Sequence, residues 1–256
     1  MTIGPRFRRA ILAASICAAC LSATGFVCPS DDHRPLFGVT FITKDKPRAD
    51  IVELKAVPER IVMLIHGLDD PGRIFGDLIP VLRERGHAVT RFEYPNDGPI
   101  CESADLLVRS LRELREAGVE RVDIVAHSMG GLVSRDALTR RDGYGGDGSG
   151  GEDLPSIDRL IMVGTPNQGS VCAKFRVLGE FQEHITRAWH GDRTPDRSDA
   201  DGSGEAGRDL LPDSEYLCDL NERPLATHTR HTIIAARMSP VDDAAVTQWA
   251  KSAWQW

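Results

Sequence analysis

Aromatic side chains are scarce in this sequence. They make up 6% of its 256 residues, so no aromatic-rich patch marks the chain for a lipid surface. A basic face is missing as well: the net charge is -7, and the 31 lysines and arginines are dispersed rather than gathered in a stripe. Phosphate backbones need such a stripe, and nucleic-acid partners are therefore not expected. The six cysteines offer no C-x-x-C pair outside an apolar N-terminal run, so neither a zinc site nor a dithiol redox centre is expected. The nearest approach to a metal motif is Asp199, Asp201, Ser203 and Gly204, which match the opening of an EF-hand loop. Its twelfth position must carry a bidentate glutamate and here holds Leu210. No metal and no cofactor are expected.

Arg6, Arg8 and Arg9 precede an uncharged, mostly apolar run from Ala10 to Cys28 that ends at Pro29 and Asp31. This order is that of an export signal, with the small residues Ala23, Thr24 and Gly25 available to a peptidase and a mature chain starting near Phe26. The run also approaches the ~20 residues needed to span a bilayer, and an uncleaved anchor giving membrane association through the N-terminus is the alternative. Either way the chain is expected to be exported, secreted or periplasmic. Cutting after Gly25 leaves Cys28, Cys101, Cys172 and Cys218. They permit two disulfides in any of three pairings, or they are buried free thiols.

The remainder reads as one α/β domain over 36–256. Leu36 to Thr43 and Asp50 to Val57 are short β-rich runs that could pair as an opening hairpin. Arg60 to Ile65 has the apolar continuity of a strand buried on both faces and Val122 to Ala126 is a further buried strand, while His87 to Tyr94, Ile157 to Gly164 and Thr232 to Ala236 read as strands as well. Between them Ile74 to Arg85, Ser103 to Ala117 and Met129 to Arg140 have helical periodicity, with Ser103 able to cap its helix and Gly118 following the end. Strands alternating with helices imply a mostly parallel sheet covered on both faces. Two Gly/Asp-rich stretches, Asp142 to Asp153 and Gly191 to Asp209, read as exposed loops.

The chemistry concentrates at Ala126-His127-Ser128-Met129-Gly130-Gly131, where a buried strand runs straight into a helix. A serine hydroxyl becomes a nucleophile only with a base to take its proton and donors to hold the oxyanion. A tight strand-to-helix turn exposes the central side chain and aims the next backbone N–H at the reacting oxygen. It needs small neighbours two residues to either side. Ala126 and Gly130 supply them, although G-x-S-x-G is the usual pattern. Two further motifs follow strands in the same order: His66-Gly67-Leu68, and Gly164-Thr165-Pro166-Asn167-Gln168-Gly169-Ser170.

On these three motifs the chain resembles the α/β-hydrolase family, in the bacterial lipase and esterase branch. The resemblance covers about residues 36 to 240. It implies an α/β-hydrolase-like sheet with helices on both faces and a small cap at about 171–229. It further implies Ser128 as nucleophile, Leu68 and Met129 as backbone oxyanion donors, and a small-molecule or lipid ester as substrate. The family orders its triad as serine, acid, histidine, which makes Asp242 or its neighbour Asp243 the candidate acid; an N-terminal helix cap is the other reading of that pair. The base is the difficulty. His66 belongs to the oxyanion loop, His127 neighbours the serine, and His33 and His87 precede the site. His228 and His231 fall at the wrong end of their strand, while His184 and His190 lie in the cap. The family's last strand, its histidine loop and its C-terminal helix are expected to be missing. Two functions follow: a serine hydrolase of carboxylic esters acting through an acyl-enzyme, or a non-catalytic α/β-hydrolase fold that serves as a binding module.

Overall fold

The computed structural model describes residues 37–44, 49–51, 54, 56–68, 72–170, 173 and 204–235. The long apolar runs become the strands of one six-stranded sheet: β1 (Gly38–Phe41), β2 (Arg60–Ile65), β3 (Ala88–Glu93), β4 (Arg121–His127), β5 (Ser156–Val163) and β6 (Arg230–Ile234). Their spatial order is β1-β3-β2-β4-β5-β6, with β1 antiparallel to β3 and every other pairing parallel. Parallel neighbours require crossovers, and the helices α1 (Leu78–Glu84), α2 (Ile100–Glu116) and α3 (Met129–Thr139) provide them. Two short helices, α4 (Glu205–Asp209) and α5 (Glu215–Glu222), precede β6. Among the described residues no helix is long and apolar enough to cross a membrane.

Strand alternation explains how the two faces are filled. In β2, Ile61, Met63 and Ile65 enter the large core with the apolar stripe of α2 (Ile100, Ala104, Leu107, Leu111, Leu114), while Val62 and Leu64 pack with Phe75 and Ile79 on the opposite face. A period of two in the strand meets a period of three to four in the helix. The helix α3 is a different case, because all eleven of its residues are buried. It lies inside the molecule, so its charged residues must find partners there.

Two expectations need correction. Among the described residues the opening hairpin is reduced to a single bridge between Phe41 and Ala49; Gly38–Phe41 pairs with β3, and Asp50 and Ile51 leave the strand conformation. The crossover helix α2 starts at Ile100, three residues before Ser103, and the Ser103 hydroxyl donates instead to the Pro95 carbonyl at 3.1 Å. Its first N–H is capped from far away, by Asp209 Oδ2 at 2.9 Å from Ile100 N. The loop from Asp142 to Asp153 is mostly exposed, as expected, and is wrapped around a fully buried Tyr144, whose hydroxyl donates to the Pro155 carbonyl at 2.9 Å. Tyr144→Phe should cost about 1 kcal/mol in urea unfolding.

The Asp209 cap carries a pH signature. Burial raises its carboxyl above the ordinary value, and Glu205 and Asp136 add to this against the Ile100 N–H. With the folded pKa above the unfolded one, its contribution to stability is present in acid and lost as pH rises through the raised pKa. Asp209→Asn keeps an acceptor without the charge and should flatten that dependence. Asp209→Ala should lose about 1 kcal/mol in acid, and less as pH rises. Urea titrations of both variants between pH 4 and about 8 check this.

Candidate active site

Ser128 sits where β4 passes into α3, with φ 51 and ψ -124. An L-residue held there stores about 1–3 kcal/mol of strain, which the surroundings must impose. They do so from three sides. The Ser128 N–H donates to the Val163 carbonyl at the end of β5, at 2.9 Å, and the Ser128 carbonyl accepts from Gly131 N at 3.1 Å. The third side is the loop after β2, where a Cβ built on Gly67 would lie 2.8 Å from the Ser128 Cβ.

The glycines of the turn are used in the same way. A Cβ on Gly130 would lie 2.4 Å from the His66 carbonyl oxygen, and one on Gly131 would lie 2.0 Å from Thr165 Oγ1. The three motifs that sequence places after β2, β4 and β5 therefore meet around one residue. Ala126, where the usual motif has glycine, is an ordinary strand residue paired with Ile65 and Met162. It is fully buried and needs no special backbone conformation.

The loop after β2 is fixed by aromatic stacking. His66 is buried against Tyr94, with ring centroids 4.5 Å apart and 17° between planes, and Tyr94 in turn stacks on Phe92. The Tyr94 hydroxyl donates to the His66 carbonyl at 2.7 Å. His66 Nδ1 lies 2.8 Å from the Gly67 carbonyl, a contact that requires its proton on Nδ1, and Nε2 faces Glu93 Oε2 at 3.6 Å. A histidine so placed orders the loop.

The loop after β5 is held by α3 and α5. Gly164 N donates to the Ile234 carbonyl at 2.9 Å, which ties the start of this loop to the end of β6. Farther along, Arg135 of α3 donates to Asn167 Oδ1 at 2.7 Å and to Asn221 Oδ1 of α5 at 3.1 Å, and Asn221 Nδ2 donates to the Asn167 carbonyl at 2.8 Å. Sequence reasoning missed Arg135. The signal that would have found it is a charged pair inside an otherwise apolar helix, but that signal means burial only if the whole helix is enclosed.

The remaining candidates are distributed as follows. Met129 is the first residue of α3, so its N–H has no partner within the helix, and Leu68 lies in the loop that packs against Ser128. His127 is half-buried, and its Nδ1 is buried without a hydrogen-bond partner. His231 pairs with Leu160, three residues before Val163 in β5, or roughly 10 Å from the serine end of the sheet. His228 lies farther still, within 3.6 Å of Asp147. Asp242 and Asp243, His33, His184 and His190, the proposed export segment, Cys28 and Cys172 all lie outside the described residues. Cys101 and Cys218 are free thiols. Of the expected cap, the described part from Gly204 onward packs into the large core through Ala206, Leu210, Leu217 and Leu220.

The model of the PGAP1-like alpha/beta domain family matches residues 102–242, more than half of the chain. No curated protein matches the sequence. Among solved structures the chain is similar to the lipase BlEst2 of Bacillus licheniformis in its propeptide form. The identity is 17% and the TM-score 0.50, over 70% of this chain and 36% of that one. It is also similar to the phospholipase PlaB of Legionella pneumophila, with 15% identity and a TM-score of 0.47 over 71% of this chain and 38% of that one. A third is a hydrolase of Pseudomonas aeruginosa, with 14% identity and a TM-score of 0.43 over 78% and 91%. At 17% identity the likeness to the BlEst2 lipase concerns the fold alone, which is that of the α/β hydrolases. The chain spans little more than a third of the length of the first of these lipases.

Proposed function

Since the chain belongs to the PGAP1-like alpha/beta domain family, we propose that it is a serine hydrolase of carboxylic esters, with Ser128 as the nucleophile. The observation that carries this reading is the left-handed backbone of Ser128, pinned by the loops after β2 and β5. A strained serine between strand and helix has no packing reason to exist, whereas a half-buried hydroxyl at the N-terminus of a helix suits acyl transfer. In this reading the Ser128 oxygen bonds to the ester carbonyl carbon, and the N–H groups of Met129 and Leu68 hold the resulting oxyanion. The alcohol then leaves with the proton taken from the serine, and water releases the acid from the acyl-enzyme.

The acid of the triad is proposed at Asp242, with Asp243 beside it, in the segment that follows β6. The lipase and phospholipase likenesses support a small-molecule or lipid ester as substrate, and the N-terminal segment is proposed to export the protein or to hold it at a membrane. The unpartnered His127 Nδ1 favours a second reading, in which the fold binds esters without turning them over.

A fluorophosphonate reacts with an activated serine and with little else. Treated protein, digested and mapped by mass spectrometry, should carry the adduct on the peptide containing Ser128, and p-nitrophenyl butyrate should be hydrolysed in parallel. An adduct elsewhere, or none, would sink the nucleophile assignment. An adduct at Ser128 without ester turnover would favour the binding module.

A further inference from the structure

Arg135 is the residue that joins the motifs of the site into one body, and its own environment does not explain it. Its residue surface is 7% exposed, and Nε is buried with no hydrogen-bond partner. Its partners are neutral: two amide oxygens, of Asn167 and Asn221, and the Leu220 carbonyl at 3.4 Å. A guanidinium buried on neutral acceptors with one N–H unsatisfied does little for net stability, because apolar packing of the same volume avoids the desolvation. Its fork, however, reaches what no apolar side chain could: the loop after β5 and helix α5 at once.

That loop bears on Ser128 from two directions. Thr165 fills the space beside Gly131, the third residue of α3, so tightly that not even a methyl group fits between them. Val163, immediately before the loop, accepts the Ser128 N–H, and Gly164 holds the end of β6 through Ile234. From there the chain runs on to the segment that carries Asp242. The side chain of Arg135 thus closes a ring that runs along α3 to Ser128, on to Val163, through the loop to Asn167, and back.

We propose that Arg135 clamps the Gly164–Gly169 loop onto the elbow helix and is thereby a positioning residue for the chemistry at Ser128. This rests on the reading of Ser128 as the nucleophile. Arg135 touches no reacting atom; it sets the spacing between the serine and the strand end beyond β5, and acyl transfer is sensitive to misplacement of that size.

Two variants of the full chain test it. Arg135→Lys keeps the positive charge and loses the fork, which separates positioning from electrostatics. Asn221→Ala removes the far partner from an exposed position, so it reports even if the buried lysine does not fold. Both should lower kcat for p-nitrophenyl butyrate, by about tenfold for the lysine, with KM within twofold of wild type. Both should slow phosphonylation of Ser128 in proportion, and both should speed amide hydrogen exchange in 165–169 with exchange in α2 unchanged. A kcat and loop exchange equal to wild type in either folded variant overturns the proposal. If wild-type Ser128 takes no label, the nucleophile reading fails on that arm alone. Loop exchange then judges the clamp separately, with faster exchange in the variants supporting it and unchanged exchange removing it.

Discussion

Asp136→Ala is expected to cost about 3–5 kcal/mol of folding stability, the usual penalty for removing one partner of a buried ion pair. The carboxylate is fully buried and serves two arginines. Arg140, immediately after the helix, reaches it through Nε at 2.8 Å and a terminal nitrogen at 3.0 Å, and Arg223, just after α5, approaches at 2.6 Å. The Tyr216 hydroxyl faces the other oxygen at 3.4 Å, and burial pushes that phenol well above its ordinary pKa. Arg140 is further bound to Asp105 and to the Cys101 carbonyl, and Arg223 to Asp219. The carboxylate is thus the centre of a network that fastens α2, α3 and α5 together. Removing it leaves two largely enclosed guanidinium groups facing each other across a void. At a urea slope of about 2–3 kcal/mol per molar, the midpoint should fall by roughly 1–2 M. A loss under about 1 kcal/mol would mean that water reaches the arginines and that the network is an exposed one.

Gly130→Ala should reduce ester turnover by about 10²–10³-fold, the cost of displacing one oxyanion donor. The added methyl would be 2.4 Å from the His66 carbonyl oxygen and 2.6 Å from that of Ile65. Both obstacles are main chain, so no side-chain rotation relieves the clash. The elbow helix must move away from β2 by several tenths of an ångström. That motion separates Met129 from the His66–Leu68 loop, the two halves of the proposed oxyanion site, and also strains the Tyr94 bond to the His66 carbonyl. Stability should fall by about 1–3 kcal/mol as well, as for other overpacking changes. The measurement is kcat on p-nitrophenyl butyrate alongside thermal unfolding. Wild-type turnover in a folded Gly130→Ala protein would separate the helix position from the chemistry and remove the basis of the oxyanion assignment.

How much of this was legible beforehand differs by element. Five parallel strands and three crossover helices could be read because buried runs such as RIVMLI leave no other placement for so much apolar surface. The elbow and its two companion loops were legible because small residues at fixed offsets from strand ends have few uses besides close backbone approach. Helix boundaries were less so: Ser103 looked like a cap, but Asp209, more than a hundred residues away, fills that place. The Gly/Asp-rich stretch around Tyr144 is the exposed loop its composition suggests, but composition does not reveal that one buried aromatic ring organises it.

The sequence by itself determined the sheet, its crossovers and the convergence of three motifs on Ser128, because each depends on local periodicity or on a fixed offset from a strand. Tertiary structure alone decided which charges lie inside. Arg135 and Asp136 are adjacent on a helix enclosed on every side, and their partners come from the loop after β5 and from α5. Chain pattern can show that a helix has an apolar face, but whether its remaining face meets water or protein depends on elements distant in sequence.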